Sequence, residues 1–336
     1  MLRKLQEKRQ DVQQLHHAGR RKKEKRKKRS ERQKRQKKER EEKKEGLSQE
    51  ARMEVHNLQH YLDAVRAKKP LVHCITNYVT VNDVANLLLA CGASPVMADA
   101  IEEVEEMVAI ADALLINIGT LNARTVTSML AAGKRANAKA IPVVLDPVGA
   151  GATSYRTEIA RRLLDNVQFT LVRGNISEIQ VLGMGSGASK GVDAADHDLQ
   201  ADVQGRIVLA QRLAERYGCM VAISGAQDIL VGTDKSAATC ANGCAAMQDI
   251  TGSGCMLGAL TAAFLAPTAS TEQKKNESHQ ASVLAALAAM GVCGEQAWQR
   301  AEAEQLGNAS LRTFLIDAMY RLKGLNKQAR VTIIPT

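Results

Sequence analysis

This chain of 336 residues has few aromatic side chains, and none of them lies in its basic N-terminal segment. Tyr, Phe and Trp together make up only 3% of the residues. Proteins that bind single-stranded nucleic acid stack bases on aromatic side chains, so residues 1–45 lack the means to read a base sequence in this way. The chain also lacks an uninterrupted apolar run of eighteen residues, and we therefore predict no membrane-spanning segment and no membrane partner.

The cysteines do not form the pattern of a disulfide framework or a zinc site. There are seven, an odd number, scattered among apolar neighbours in a chain without a recognisable signal peptide. Cys240 and Cys244 are four residues apart, but no second pair or His-x3-His sequence completes a set of zinc ligands. We interpret the cysteines as mostly buried thiols and expect a reducing, cytoplasmic location.

Charge is distributed very unevenly along the chain. Residues 1–45 contain 21 Lys and Arg against 8 Asp and Glu, a net charge of +13, whereas the whole chain carries +10. This segment has too few apolar residues to fold alone, so we expect a disordered or solvated helical extension over residues 1–52 and a folded domain over residues 53–336. Met53 is a candidate first residue of the functional protein. The extension would attract RNA, DNA or anionic lipid non-specifically.

Short apolar runs alternate with longer amphipathic segments from Leu71 to Tyr217. This alternation predicts a mostly parallel sheet with helices on both faces, a three-layer α/β/α domain. Three short strands separated by turn residues follow over residues 219–239, and they indicate a meander or hairpin at one edge of the sheet. The C-terminal third is an alanine-rich helical region, and we expect it to end in a final strand or an extended tail, Ala329 to Ile334. We find no internal repeat.

The segment from Asp249 to Cys255, with the sequence DITGSGC, has the character of an anion-binding site. Its glycines let the backbone approach a phosphate closely, and the apolar helix that follows would direct free N–H groups and a positive dipole end at bound negative charge. In that field, the Cys255 thiol is expected to ionise more easily than an ordinary cysteine. A tight turn before a helix is the alternative interpretation of the same residues.

Four polar residues stand where predicted strands end, which is where ligands bind in open α/β sheets. Asp146 and Glu178 offer oxygen ligands for Mg²⁺, directly or through water, although a turn residue and a helix-start charge are equally consistent with the pattern. Arg173 can contact phosphate oxygens, or it can form a surface salt bridge. Ser224 can hold nucleotide phosphate, or it can belong to an ordinary Ser-Gly turn.

Five segments in this order resemble the hydroxyethylthiazole kinase family of thiamine biosynthesis and salvage, over roughly residues 55–334. They are HCITNYVTVND from His73, GASPVMAD from Gly92, LDPVGAG from Leu145, VRGNISE from Val172 and DITGSGC from Asp249. The resemblance implies a ribokinase-like fold, ATP as co-substrate with Mg²⁺, and a homotrimer with its site near a subunit boundary. It also implies phosphorylation of the hydroxyl of 4-methyl-5-(2-hydroxyethyl)thiazole.

The same resemblance assigns roles to individual residues. Arg173 and Ser224 match ATP contacts, with Ser224 in place of a frequent Thr, and Asp146 and Glu178 match the acids associated with ATP and its metal. Cys255 stands where related sugar kinases place an aspartate base.

For the acceptor alcohol, the resemblance points to Asn77, Met97 and the backbone of Gly252. A polarizable thioether suits a flat sulfur-containing ring, and an amide can hydrogen-bond an alcohol. Without the resemblance, Met97 would be interpreted as core packing.

Two alternative functions are open from the sequence. The same kinase fold could act on another small alcohol, such as a hydroxymethylpyrimidine. In a different class, the chain could be a nucleic-acid-binding protein that acts through residues 1–45.

Overall fold

A computed structural model describes residues 57–183, 202–267 and 272–334, with the side chains of the last range described from residue 278. The predicted extension, residues 1–52, lies outside these ranges. Within them, nine strands form one sheet in the order β2-β1-β3-β4-β5-β6-β7-β8-β9. The strands are β1 Leu71–Ile75, β2 Ser94–Val96, β3 Ala113–Asn117, β4 Val143–Asp146, β5 Leu171–Asn175, β6 Met220–Ser224, β7 Asp228–Val231, β8 Ala237–Cys240 and β9 Val331–Ile334.

The helices follow the strands in the predicted alternation and then continue as a C-terminal group. They are α1 Leu58–Lys68, α2 Val81–Cys91, α3 Val104–Ile110, α4 Ala123–Lys139, α5 Ser154–Asn166, α6 Ile176–Gly183, α7 Val203–Tyr217, α8 Ser253–Leu265, α9 Glu272–Ala303, α10 Asn308–Arg321 and α11 Leu325–Gln328. A 3₁₀ helix, Ala245–Asp249, lies between β8 and α8.

The sheet is parallel through β6 and antiparallel beyond it. Neighbouring strands from β2 to β6 run in the same direction, whereas β7, β8 and β9 each pair antiparallel to the strand before them. The predicted meander at one edge of the sheet is therefore confirmed. β9 extends this antiparallel part and brings the C-terminal strand beside β8.

Alternate strand residues enter two separate apolar cores, one on each face of the sheet. Ala113 and Leu115 of β3 face α1, α2 and α8–α11, whereas Leu114 and Ile116 face α3–α7. Because both faces are covered, the parallel strands consist of nearly continuous apolar residues. The three-layer α/β/α architecture predicted from the sequence is confirmed.

The central helices of the first core are apolar on all sides. Every residue of α8 from Cys255 to Leu265 is buried, as expected for a helix enclosed by sheet and helices. Among the described residues, one helical stretch, Ser278–Ala303, has the length and composition to cross a membrane, but 83% of its apolar window is buried inside the fold. Burial of that extent is what a core helix shows.

Candidate active site

The carboxyl ends of the parallel strands bring together the residues on which the sequence prediction depends. In the register of the sheet, Asn117 at the end of β3 pairs with Asp146 at the end of β4. Asn175 at the end of β5 likewise pairs with Ser224 at the end of β6. Helix α8 begins beside this edge and contacts both β3 and β4. Segments more than 100 residues apart in the sequence thus form one site.

Arg173 is buried and forms the link between the strand ends. Its Nη2 donates a hydrogen bond to Ser224 Oγ at 2.6 Å, and its Nη1 lies 3.6 Å from Asp146 Oδ1. Ser224 Oγ in turn donates to the carbonyl oxygen of Gly174 at 3.3 Å. The surface salt bridge considered for Arg173 is ruled out, since only 8% of this residue is exposed. The same residue lines the adjoining cavity, where a guanidinium can contact phosphate oxygens.

The start of α8 approaches Arg173 so closely that only glycine fits. A Cβ on Gly254 would lie 2.8 Å from Arg173 Nη1. Gly252, which precedes the helix, has a φ of +81°, and a Cβ there would lie 2.2 Å from Thr80 Cγ2. The free amides of the first helical turn therefore lie beside a fixed positive charge, which is an arrangement that binds phosphate.

Asp146 is completely buried, and the surroundings disfavour its charged form. Burial raises the pKa of this carboxyl to about 6, although Arg173 and a hydrogen bond from Asn117 act in the opposite direction, while the charge of Glu178 adds to the increase. Asn117 Nδ2 donates to Asp146 Oδ2 at 2.7 Å, but Oδ1 accepts no hydrogen bond. A buried carboxylate oxygen that accepts no hydrogen bond, with Arg173 as its ion-pair partner at 3.6 Å, fits a position beside a further cation.

Glu178 has a double role in the local structure. Its two carboxylate oxygens accept hydrogen bonds from the backbone N–H groups of Gly149 and Asn175, each at 2.8 Å. It therefore holds the loop after β4 and the end of β5. This structural role agrees with the interpretation of Glu178 as a charge at the start of a helix. Its charge nevertheless acts on Asp146. Within the described residues, no group of three or more His, Cys, Asp or Glu could enclose a metal ion.

A pair of carboxylates without a third acidic ligand fits Mg²⁺ better than a metal held only by protein. Mg²⁺ commonly keeps several waters and binds through one or two carboxylates together with substrate phosphates. Asp146 ends β4, and Glu178 lies in the first turn of α6, directly after the neighbouring strand β5, so that its charge acts on Asp146; the two can supply such a pair.

Cys255 lies in the first turn of α8, in contact with Asn77. Asn77 Nδ2 donates to Cys255 Sγ at 3.1 Å and also to Asn117 Oδ1 at 3.1 Å. Asn77 Oδ1 accepts from the backbone N–H and the hydroxyl of Thr80. Only 8% of Cys255 is exposed, so protein groups and not water surround most of this residue.

The expectation that Cys255 ionises easily is wrong for this structure. Burial raises the pKa of its thiol above the ordinary value, and the negative charge of Asp146 raises it further. Hydrogen bonds from Asn117, Thr80 and Asn77 act in the opposite direction but do not compensate. The helix start therefore does not outweigh the loss of water around the sulfur.

Met97 directly follows β2 at the same edge of the sheet. It is partly buried and packs against the core that contains α8 and Cys255. Asn77, Gly252 and Cys255 meet around Thr80, whereas Met97 follows β2, the strand that pairs with β1. Its predicted contact with a substrate ring remains a prediction.

A cavity of about 370 Å³ is lined by Arg173 and Ser224. Its volume lies in the range of small-molecule sites. The polar end includes Ser253 and Gly254, and the rest of the wall is largely apolar, with Met247 and Met290 among its residues. This wall comes from the 3₁₀ helix and α9, neither of which the sequence motifs indicated.

Three residues of the site were not singled out from the sequence. Asn117 and Thr80 complete the hydrogen bonds around Asn77, and Asp228 lines the cavity. Burial raises the pKa of Asp228 to about 6, against the effects of the Gly225 N–H and Arg173. Asn117 could have been recognised as the polar end of a buried strand, and Thr80 lies within a segment that the resemblance already included.

A parallel α/β sheet with a guanidinium, a glycine-rich helix start and paired acids at its carboxyl edge is the arrangement of a phosphate-transferring protein. A family model described as the hydroxyethylthiazole kinase family matches residues 62–324. The chain belongs to the hydroxyethylthiazole kinase family.

Individual relatives agree with this assignment. A hydroxyethylthiazole kinase of Clostridium tetani is 45% identical over 282 residues, covering 83% of this chain and 99% of the relative. One of Clostridium acetobutylicum is 48% identical over 269 residues, covering 80% and 95%. The solved structure of a hydroxyethylthiazole kinase from Pyrococcus horikoshii aligns with a TM-score of 0.70 at 35% identity, covering 83% of this chain and 99% of that chain.

Proposed function

We propose that this protein transfers the γ-phosphoryl group of ATP to the hydroxyl of 4-methyl-5-(2-hydroxyethyl)thiazole, in thiamine biosynthesis or salvage. The observation that carries the proposal is the contact between the start of α8 and Arg173. A Cβ on Gly254 would lie 2.8 Å from Arg173 Nη1, so the helix amides and the guanidinium share one small space. Donors fixed in this way stabilise a transferring phosphoryl group with little reorganisation.

In the transfer, the alcohol oxygen forms a bond to the γ-phosphorus while the bond between that phosphorus and the β,γ-bridging oxygen breaks. ADP leaves, and the thiolate form of Cys255 accepts the proton of the alcohol. Arg173 and Ser224 hold the phosphates, and Asn77 and the Gly252 backbone orient the alcohol. Asp146 and Glu178 would hold Mg²⁺, which supplies positive charge that neutralises the phosphates when it is bound.

The raised pKa of Cys255 limits what this residue contributes. Only a small fraction of the thiol is ionised near neutral pH, so its help as a base is expected at the lower end of the usual range of about 10²- to 10⁴-fold. Positioning and electrostatic stabilisation by the other groups then supply most of the acceleration.

We also propose that the protein is a cytoplasmic homotrimer with its sites near the subunit boundaries. Tyr78 and Val79, which directly follow Asn77, are 77% and 61% exposed. Large apolar side chains next to a binding site support coverage by another subunit. Light scattering at micromolar concentration should give three times the mass of one chain, and a monomer that is fully active would contradict this part of the proposal.

The substrate is tested by comparing several alcohols with saturating ATP and Mg²⁺. We expect the thiazole alcohol to give the highest kcat/KM and a hydroxymethylpyrimidine to give a much lower one. The full chain is measured beside a chain that begins at Met53, and equal rates would assign the extension an accessory role. Preference for another alcohol, or no transfer at all, would overturn the proposed substrate.

A further inference from the structure

We propose that Asn117 is a positioning residue for the transfer, because it orients the Asn77 amide so that an N–H group faces the Cys255 sulfur. This inference rests on the proposed function, in which Asn77 and Cys255 contact the acceptor alcohol. Asn117 itself is only 1% exposed and lies at the last position of β3. It acts through its neighbours and does not itself contact the substrate.

Four side chains form a continuous series of hydrogen bonds across the site. Asn117 Nδ2 donates to Asp146 Oδ2 at 2.7 Å, and Asn117 Oδ1 accepts from Asn77 Nδ2 at 3.1 Å. Asn77 Nδ2 donates its other hydrogen to Cys255 Sγ at 3.1 Å. The series therefore joins the acid assigned to the metal with the residue assigned to the proton.

Backbone N–H groups determine the direction of these hydrogen bonds. Asn117 Oδ1 also accepts from the N–H of Gly119 at 2.9 Å, and Asn77 Oδ1 accepts from the N–H of Thr80 at 3.1 Å. A backbone N–H can only donate, so neither amide can be reversed without losing a hydrogen bond. The N–H groups of Asn77 must then face Asn117 and Cys255.

The surrounding packing leaves Asn77 little freedom while Asn117 is present. A Cβ on Gly119 would lie 2.8 Å from Asn77 Cβ and 3.0 Å from Asn117 Oδ1, so the two amides are held against the backbone. The pairing of β3 with β4 depends on backbone groups and on Leu114–Ile116, which are buried independently of Asn117. Removal of the Asn117 side chain should therefore release the Asn77 amide without separating the strands.

The experiment is a double-mutant cycle on kcat with Asn117→Ala and Cys255→Ala. We expect Asn117→Ala to lower kcat by about 10- to 100-fold, as a small misplacement of a reacting group does, with little change in the KM for ATP. In the Cys255→Ala background, the same substitution should lower kcat by less than about threefold. An equal factor in both backgrounds, or no loss in the wild-type background, would overturn the proposal.

Asn137→Ala is the matched control. Asn137 likewise uses both ends of its amide, in two hydrogen bonds with the backbone of Gln168, but it lies on α4 outside the site. Its removal should leave kcat unchanged. Asn117→Ser serves as a second variant, with a smaller expected loss, where Asn117→Ala fails to fold.

A crystal structure of Asn117→Ala tests the orientation without an activity assay. We expect the separation of Asn77 Nδ2 and Cys255 Sγ to exceed hydrogen-bonding distance, and an unchanged Asn77 would overturn the proposal. This measurement also separates the two hypotheses. Absence of thiazole phosphorylation in the wild-type protein would count against the proposed function, whereas the crystal structure still decides the role of Asn117.

Discussion

Substitution of Gly252 by alanine should damage both stability and activity, and a second glycine provides its control. Gly252 precedes α8 with a φ of +81°, and Gly324 precedes α11 with a φ of +68°. Both are helix N-cap residues in the left-handed region. They differ in the room available for a side chain. A Cβ on Gly252 would lie 2.2 Å from Thr80 Cγ2, whereas a Cβ on Gly324 meets nothing within 4 Å.

The free-energy difference between the two variants follows from this contrast. The left-handed conformation disfavours alanine by roughly 1–2 kcal/mol at either position. At Gly252, the carbon atoms would also lie far inside the usual contact distance of about 3.5–4.0 Å. Forced repacking of this kind costs about 1–3 kcal/mol. Gly252→Ala should therefore lower the free energy of unfolding by about 2–5 kcal/mol, and Gly324→Ala by about 1–2 kcal/mol.

The effect on activity follows from the contacts of Thr80, the residue that a Cβ at position 252 would displace. Thr80 donates two hydrogen bonds to Asn77, so movement of Thr80 moves the amide that faces Cys255. We expect kcat/KM to fall by about tenfold or more for Gly252→Ala, because small misplacements at a reacting centre are costly. Gly324→Ala should stay within about twofold of wild type, since α11 does not contribute to the site.

Urea unfolding followed by circular dichroism gives the stability comparison, and an ADP-coupled assay gives kcat/KM for the same preparations. Equal losses of stability in the two variants would refute the steric argument. Full activity in folded Gly252→Ala would refute the assignment of Gly252 to the site.

Three further predictions concern the charged and reactive residues. Cys255→Ser should lower kcat by about 10- to 100-fold, and Cys255→Asp should retain activity. Because the Cys255 pKa is raised, the kcat of the wild-type protein should still increase at alkaline pH, while the kcat of Cys255→Asp stays level. Identical pH profiles would contradict the base role. The Asp146 pKa of about 6 lies above its unfolded value, so this group lowers stability as pH rises from about 4 to about 6. Asp146→Asn should therefore abolish this loss of stability between pH 4 and pH 6, as urea unfolding at the two pH values would show, while kcat falls. Arg173→Lys should raise the KM for ATP by about tenfold, because an ammonium cannot reach both Ser224 and Asp146, while stability is nearly unchanged. An unchanged KM would remove Arg173 from the nucleotide site.

Most of the fold was predictable because its signals are local. The alternation of apolar runs and amphipathic segments from Leu71 to Tyr217 predicted a sheet covered by helices, and the described residues of this part of the chain form β1–β5 and α2–α7. The antiparallel edge was predictable because turn residues separate β6, β7 and β8 by only a few positions. The place of β9 beside β8 depends on long-range packing, which periodicity does not contain.

The site was predictable in part, because strand ends and glycine-rich turns are visible in a sequence. The proximity of Asp146, Arg173 and Ser224 follows from their positions on neighbouring strands, with Asp146 and Ser224 at strand ends and Arg173 two residues before the end of β5. The protonation of Cys255 was not predictable, because the pKa depends on burial and on Asp146, which the helix-start pattern does not describe. Asn117 was also missed, since its importance lies in the contacts of one amide and not in a motif.

Transfer of labelled γ-phosphate from ATP to 4-methyl-5-(2-hydroxyethyl)thiazole tests the central claim most directly, with the wild-type chain and Arg173→Ala measured side by side. The account predicts one labelled thiazole phosphate for each ADP formed by the wild-type protein, and a strongly reduced rate for Arg173→Ala. ADP formation without labelled thiazole phosphate, or equal rates in the two proteins, would contradict it.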